Sequence, residues 1–467
     1  MRLEMHNPPQ KANRKGERGA ALLTTLLISM LVLAAGMALV TTTSLSTTTS
    51  IDATAEMQAY SAAEAGLEAT LNVLRGNVAP DATLTGTTMT FRTALIPALS
   101  NRTSDALATG PAATARLSGW LNYSYQNPSA ATDWRVPLTA SYAPRTGIAF
   151  KVEVSDPDDP GPLATRKITT DPLYQPERVL VQSEGYGPKG AIKRLEMVVN
   201  RSAIDFDTPG TITLAGGSSI GLALGHSAAN CYTGTDQATN PGPDIPAVTV
   251  SSQNLATAQT AINNLNNDPG STAPDPCSVN SQLQPCAAGA LTAANTPGFL
   301  ASADAARAFL AVMRSQASDM GRLFSTKAQA VTAGGLGTTS NPKFTFIDNY
   351  GSGTTYGPTV DLGSNHQGTG LLVVTGNLDT NGNTDFEGII LVLGRGTVSR
   401  SGGGNGRIKG TIIVANFDPN GAPGDPFGRP SFSINGGGNS CVQYDSSWVR
   451  RALDATGLGV IGIREYH

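Results

Sequence analysis

Charge is scarce in this 467-residue chain: Asp, Glu, Lys and Arg make up 14% of it, and the formal net charge is −3. A surface that reads nucleic acid needs clustered Lys and Arg. Beyond the N-terminal segment no basic run occurs, so nothing marks a nucleic-acid partner. The four cysteines and four histidines offer little for metal chemistry. C-x2-C is absent and no His pair lies near a Cys, which removes the usual zinc spacings. No phosphate-binding loop and no Cys/His nucleophile stands out. Aromatic residues are few at 6%, while Gly (52) and Pro (29) are plentiful, as in a turn-rich, β-rich extracellular protein. The length favours two or three structural units over one core.

What the chain does have is one long apolar run. Ala20 to Val40 carries no charged side chain, and at about 1.5 Å per residue a helix there spans roughly 30 Å, the thickness of a bilayer's hydrocarbon core. Lys11, Arg14, Lys15 and Arg18 precede it, against Glu17 alone. That bias keeps the N-terminus cytoplasmic and sends the rest across. A secretory signal peptide would have a shorter apolar core with its small residue beyond it, whereas Gly19 comes before. A plain anchor would end in charges and a loop. Instead Thr41 to Ser50 continues without charge or Pro, and Met57, Tyr60, Glu64, Leu67, Leu71 and Leu74 then fall at steps of three and four, one helical face. Arg75-Gly76-Asn77 is the expected stop. One helix from Ala20 to Arg75 would be roughly 84 Å long, more than twice what lipid requires, so its distal part must pack on protein.

The segments Glu17-Arg18-Gly19-Ala20-Ala21-Leu22-Leu23 and Ala59-Tyr60-Ser61-Ala62-Ala63-Glu64-Ala65-Gly66-Leu67-Glu68 resemble the N-terminal domain of PilX-type minor pilins of type IV pili, over about residues 15 to 75. The resemblance implies cleavage by prepilin peptidase between Gly19 and Ala20 and methylation of the new amine of Ala20. It also implies a place in the inner membrane and then in a pilus at the cell surface, among other minor and major pilins and a tip adhesin. Most pilins carry Glu at the fifth mature position, thought to meet a neighbour's terminal amine; here that position is Thr24. A buried carboxylate without its partner costs several kcal/mol, and tip subunits tend to lack it. Thr24 therefore favours a tip or priming role.

Residues 76 to about 138 read as loops around short elements, with Leu95, Ile96, Trp120 and Trp134 as local core. Ile148 to Val154 alternates at period two. Arg178 to Ser183 and Ile192 to Val199 then form a hairpin around a Gly185-Tyr186-Gly187 turn region. These strands are expected to cover the Met57-to-Leu74 stripe. Thr211 to Gly217 reads as a strand and turn, 227 to 300 as long loops with a short helix over Asn254 to Asn264, and Ala301 to Ala333 as a helical stretch. An internal repeat follows. Gly370-Leu371-Leu372-Val373-Val374 returns as Gly388-Ile389-Ile390-Leu391-Val392 and as Gly410-Thr411-Ile412-Ile413-Val414. Strands returning with glycine corners describe a β-solenoid; an antiparallel meander is the alternative. All four cysteines follow the apolar run, on the side where disulfides persist. Cys277 with Cys286 closes a short loop, and Cys231 would then pair with Cys441.

The expected fold is α+β: leader 1–19, hydrophobic then amphipathic pilin helix 20–76, pilin-like antiparallel sheet region 77–205, and a β-rich, solenoid-like domain 206–467 with a loop/helix insertion at about 227–340. Catalytic residues are not expected. Gly217-Ser218-Ser219-Ile220-Gly221, with His226 behind it, fits G-x-S-x-G, but that elbow needs a helix after its Ser, and Gly221 to Gly225 is a poor helix. Asp379, Asn381, Asn383 and Asp385 place oxygens at every second position, like the start of a calcium loop. However, Gly382 stands fourth rather than sixth, so a turn between strands accounts for them better. The acidic turn Asp156 to Asp159 is of the same kind, and His226 and His366 are isolated. The sequence thus describes a non-enzymatic minor pilin without cofactor that primes or caps pilus assembly. Two alternatives are a type II secretion tip pseudopilin and a membrane-tethered solenoid that binds or cleaves polysaccharide.

Overall fold

A computed structural model describes residues 17–75, 135–138, 147–159, 165, 167–171, 174, 176–225, 231–266, 278–279, 282–283, 288–352, 355–363, 367–400, 405–435 and 440–466. Leu95, Ile96, Trp120, Trp134, Cys277, Cys286, His226 and His366 lie outside them. The chain divides into two units, Met1–Val198 with Gly462–His467, and Val199–Ile461. The last residues, assigned from the sequence to the C-terminal domain, thus join the first unit.

Among its described residues the first unit is built on one long helix and a five-stranded sheet. The helix runs unbroken over Glu17–Leu74, ending where Arg75 N–H closes on Leu71 O (2.8 Å). The sheet has five strands, in the order Val136–Pro137, Ala149–Ser155, Arg178–Tyr186, Ile192–Asn200 and Gly459–Glu465. The first three pair antiparallel, with Val152 opposite Ser183. Gln182 meets Glu196 and Glu184 meets Arg194, so the next pair is antiparallel too, since one number rises as the other falls. The turn expected at Gly185 to Gly187 lies further on: the strand continues to Tyr186, and Gly187 N–H donates to Ala191 O (2.8 Å) around Pro188–Gly190.

Those glycines serve packing instead. A Cβ on Gly185 would come 2.0 Å from Ala59 O and 2.4 Å from Ala63 N, and one on Gly187 2.4 Å from Ala55 O. From the helix side, a Cβ on Gly66 would meet Ser183 Oγ at 2.2 Å. The helix therefore lies with its backbone against the strands, on a face of Ala55, Ala59, Ala62, Ala63, Gly66, Leu67, Thr70, Leu71 and Leu74. This corrects the expected stripe. Leu67, Leu71 and Leu74 are buried, but Met57 is 71% exposed, and Tyr60 and Glu64 are exposed as well. From Ala55 to Gly66 this helix gains close backbone approach rather than large side-chain burial, and dispersion across many short contacts holds it.

The second unit is built on parallel strands. Gln367–Val374, Asp385–Gly394 and Gly406–Asn416 pair side by side in parallel, with Gly370 opposite Gly388 and Gly388 opposite Gly410. An antiparallel meander does not describe that pairing. Beside them the short strands Asn377–Asp379, Thr397–Arg400 and Ser431–Ile434 form their own parallel rows, Leu378 to Val398 to Phe432. Alternate residues of the long strands enter two cores. Leu372, Val374, Ile390, Val392, Ile412 and Val414 share one with Leu378, Val398 and Phe432. Leu371, Val373, Ile389, Leu391 and Ile413 share the other with Leu310 and Met313 of helix Ala303–Asp319 and Val449 and Leu453 of helix Ser446–Asp454. Burial on both faces is why these strands read as unbroken apolar runs.

The order of strands is less simple than the repeat. Ile212–Ala215 pairs with Gly406–Asn416 on one side and Val248–Ser251 on the other, and Ala288–Leu291 follows. Part of the region expected to be long loops is therefore sheet. At the far end stand Lys343–Ile347 and Leu323–Phe324. The stretch Ala301 to Ala333 is two helices, not one. The first ends at Asp319, with Gly321 at φ +65 just beyond, and the second, Lys327–Thr332, starts on a capping box of Thr326 and Gln329. The Asn254-to-Asn264 helix is present as Leu255–Asn266.

Candidate functional site: the N-terminal helix

The Gly19–Ala20 junction lies inside the helix, which begins at Glu17. Past it, the large apolar side chains Leu22, Leu23, Leu26, Leu27, Ile28, Met30, Leu31, Val32, Leu33, Met37, Leu39 and Val40 are all exposed. Among the described residues one helix, near the N-terminus, is long and apolar enough to cross a membrane, by length and composition.

Its hydroxyls are turned inward. Thr24 Oγ1 donates to Ala21 O at 2.9 Å and Ser29 Oγ to Thr25 O at 2.6 Å. The polar stretch repeats the device. Thr41 donates to Met37 O, Thr43 to Leu39 O, Thr47 to Thr43 O and Thr49 to Leu45 O, at 2.7–3.0 Å. Each of these hydroxyls donates to a carbonyl three or four residues back along the same helix. A helix so written can pass from lipid into a packed protein environment without stranding a polar group. At position 24 a carboxylate would need a cation from elsewhere; a threonine does not.

Further along, charged pairs surround the helix where it meets the sheet. Lys189 Nζ reaches Asp52 (3.3 Å), while Lys193 Nζ reaches Glu465 (3.0 Å) and Glu56 (3.7 Å). Most of these groups are solvent-exposed, so water screens the pairs and they add little to stability.

The other residues singled out from the sequence are not brought together. Gly217 to Gly221 leads into strand Gly221–Ala223, not a helix, so Ser219 has no nucleophile elbow. Asp379 ends one strand and Asp385 starts the next, with Asn381 and Asn383 at the turn between, and Asn383 Oδ1 accepts from Asn405 N–H at 2.7 Å. Burial first, then the nearby Asp361, raise the Asp379 carboxyl above its ordinary value, while hydrogen bonds from Asn381 and Ser399 pull it down. Among the described residues no three His, Cys, Asp or Glu side chains gather as metal ligands. The acidic turn is occupied by the protein itself: Asp156 takes the Asp158 N–H and the Tyr174 hydroxyl, Asp158 takes Arg178, and Asp159 takes the Lys167 N–H. The Arg178 hydrogen bond holds the Asp158 carboxyl below its ordinary value.

Cys231 and Cys441 are joined in a disulfide between facing positions of parallel strands, with Cα atoms 4.4 Å apart and 210 residues between them. The composition that drew attention to the cysteines carried no signal for Asp236, which the structure makes prominent. It is 7% exposed, and it accepts from the N–H groups of Ala238 (3.1 Å) and Ser446 (2.9 Å) with Oδ1 and from Gly242 with Oδ2. Burial pushes this carboxyl up, but the hydrogen bonds together outweigh it and hold it below its ordinary value.

Comparison of the chain with protein-family models, with curated proteins and with solved structures finds no match.

Proposed function

We propose that this chain is a structural subunit of the minor-pilin kind, resembling PilX-type proteins, held in the inner membrane by its N-terminal helix until it enters a filament. The observation that carries this reading is the form of that helix. It is unbroken over Glu17–Leu74, apolar and exposed in its first half, self-satisfied in its hydroxyls, and laid by a small-residue face on an antiparallel sheet in its second half. A plain anchor has no use for the second half, and a cleaved signal would discard the first. Other pilins and a tip adhesin are the partners of this reading, and Thr24, which needs no charged neighbour, supports a tip or priming role within it. The second unit is a solenoid-like outer domain in this account. Its support is the row of Gly370, Gly388 and Gly410 and the rows of short strands beside it.

Processing tests the reading. Mass spectrometry of the mature protein should find an N-terminus at methylated Ala20, and Gly19→Val should leave the precursor uncut. A mature N-terminus beyond Val40 would refute it, since the helix would then be lost.

A further inference from the structure

The second unit carries a cleft of about 480 Å³ that the pilin reading does not use. It lies within the roughly 300–1,000 Å³ typical of small-molecule sites. Four separate parts of the chain meet in it: the turn at Gly216-Gly217-Ser218, Ser251 with Gln253, the start of helix Ala303–Asp319, and the loop around Asp425 and Phe427.

Its walls are fixed. Ser251 Oγ accepts from Gly216 N–H (3.0 Å), and Asn254 Nδ2 donates to Gly217 O (3.2 Å), as does the Gln253 side-chain amide. Opposite, Arg307 donates to the carbonyls of Asp418 (3.2 Å), Ala422 (3.0 Å) and Asp425 (3.2 Å) while pairing with Asp304 (2.6 Å). Asp304 also takes the Gly424 N–H at 2.9 Å. Arg307 is thereby committed to the loop, and no Lys or Arg stands among the described residues that line the cleft.

That lining selects a chemistry. The Asp425 carboxylate, with no Lys or Arg facing it among the described residues lining the cleft, disfavours an anion, while Asp304 is already neutralised by Arg307. Phe427 is the one large apolar side chain, so a lipid or a hydrophobic peptide finds too little to cover it. Phe427 stands against Gly216, where a Cβ would come 2.4 Å from its Cγ, and its ring is held edge-on by Phe417 at 6.0 Å. Around it are groups that exchange hydrogen bonds with hydroxyls. Ser218 is exposed with no partner among the described residues, Gln253 keeps its side-chain oxygen, and Asp425 uses Oδ2 on the Ala422 N–H. The N–H groups of Ala303 and Asp304 precede the first intrahelical bond, from Ala306 N–H to Ser302 O. A ring with an apolar C–H face and hydroxyls at its edge matches this set.

We infer that this cleft, formed by Ser218, Gln253, Asp304, Asp425 and Phe427, binds the end of an uncharged oligosaccharide. The inference does not depend on processing at Gly19, and either can fail alone. It gives the outer domain a class of ligand and assigns it no cleavage.

The test uses the full chain in a detergent without a sugar headgroup. Saturation-transfer NMR and calorimetry are run with cellobiose, maltose, lactose and chitobiose, and with digalacturonate as the anionic comparison. At least one neutral disaccharide should bind, with a Kd on the order of millimolar for so few contacts. Ser218→Trp fills the cleft from an exposed position and should weaken binding at least tenfold without lowering the unfolding midpoint. Asp425→Asn should weaken it less, and Phe427→Ala should abolish it. Absence of binding by every neutral disaccharide, equal binding of digalacturonate, or binding that survives Ser218→Trp would each overturn the assignment.

Discussion

Adding one methyl group to Gly388 tests whether the glycine row is a structural requirement of the second unit. Gly388 sits at φ +131, and a Cβ there would lie 2.1 Å from Gly370 O on the neighbouring strand. Two costs combine. A non-glycine residue in that backbone region carries about 1–3 kcal/mol of strain. The close contact must also open by about 1 Å, against a neighbour fixed in a parallel ladder spaced at roughly 4.8 Å. Loosening one or two ladder hydrogen bonds adds about 0.5–1.5 kcal/mol each. The expected loss for Gly388→Ala is therefore about 2–6 kcal/mol, a large share of the roughly 5–15 kcal/mol that holds a domain.

Two controls separate the terms. Gly424 has φ +88 and Gly298 a φ outside the left-handed region, and neither would place a Cβ within 4 Å of anything. Gly424→Ala should cost the strain alone, about 1–2 kcal/mol, and Gly298→Ala should be neutral or slightly stabilising. Urea unfolding followed by far-ultraviolet circular dichroism, with the disulfide intact, ranks the three. The thermal midpoint of Gly388→Ala should fall on the order of 10 °C. If Gly388→Ala unfolds with Gly298→Ala, the row does not hold the strands in register and the repeat has no structural meaning.

Other substitutions report on other contacts. Gly185→Val should detach the helix from its sheet, because the Cβ already meets Ala59 O at 2.0 Å; proteolysis should then cut in the first unit while the second stays protected. Cys231→Ser should lower stability by up to about 5 kcal/mol in a chain-entropy estimate, given the sequence separation of 210 that the bond closes, and an unchanged unfolding midpoint would show that the bond does not hold the second unit. Asp236 should give the fold part of its acid sensitivity. Its carboxyl is held below the ordinary 3.8, so its contribution is fully present above that value and is lost as the pH falls through the lower folded value. Asp236→Asn should lower stability near neutrality and flatten the acid limb of the stability–pH curve; an unchanged acid limb would show that Asp236 does not titrate with unfolding.

How much of this was legible depended on which residue types carried the structure. The long helix was plain because an uncharged run and its continuation are properties of adjacent residues. The repeat was plain for the same reason, since its strands are buried on both faces and so are apolar throughout. The buried face of the helix was misjudged because the periodicity was weighted by size. Met57 and Tyr60 are large, yet the sheet lies against Ala55, Ala59 and Ala63, where a small side chain lets two backbones approach. Gly185 reads as a turn for a related reason: glycine marks both a bend and a close approach, and the sequence alone does not separate them. Nor does Val248–Ser251 announce itself. Four residues between polar loops have no period to detect, and their place in the sheet is fixed by Ile212–Ala215, a neighbour more than thirty positions away.

The same limit governs the sites. Residues whose role is local, such as Thr24 and the hydroxyls of Thr41 to Thr49, follow from sequence because their acceptors lie one turn back. Asp236 and the cleft around Phe427 do not, because their partners come from distant segments. Asp236 meets Ser446 across 210 positions, and Arg307 meets Asp425 across 118. A sequence reading is therefore strongest for the N-terminal helix and weakest for the second unit. That asymmetry has a physical origin. Membrane insertion and helix formation are decided by contiguous residues, whereas a ligand site on a β-rich domain is assembled by connections that only the folded chain brings together.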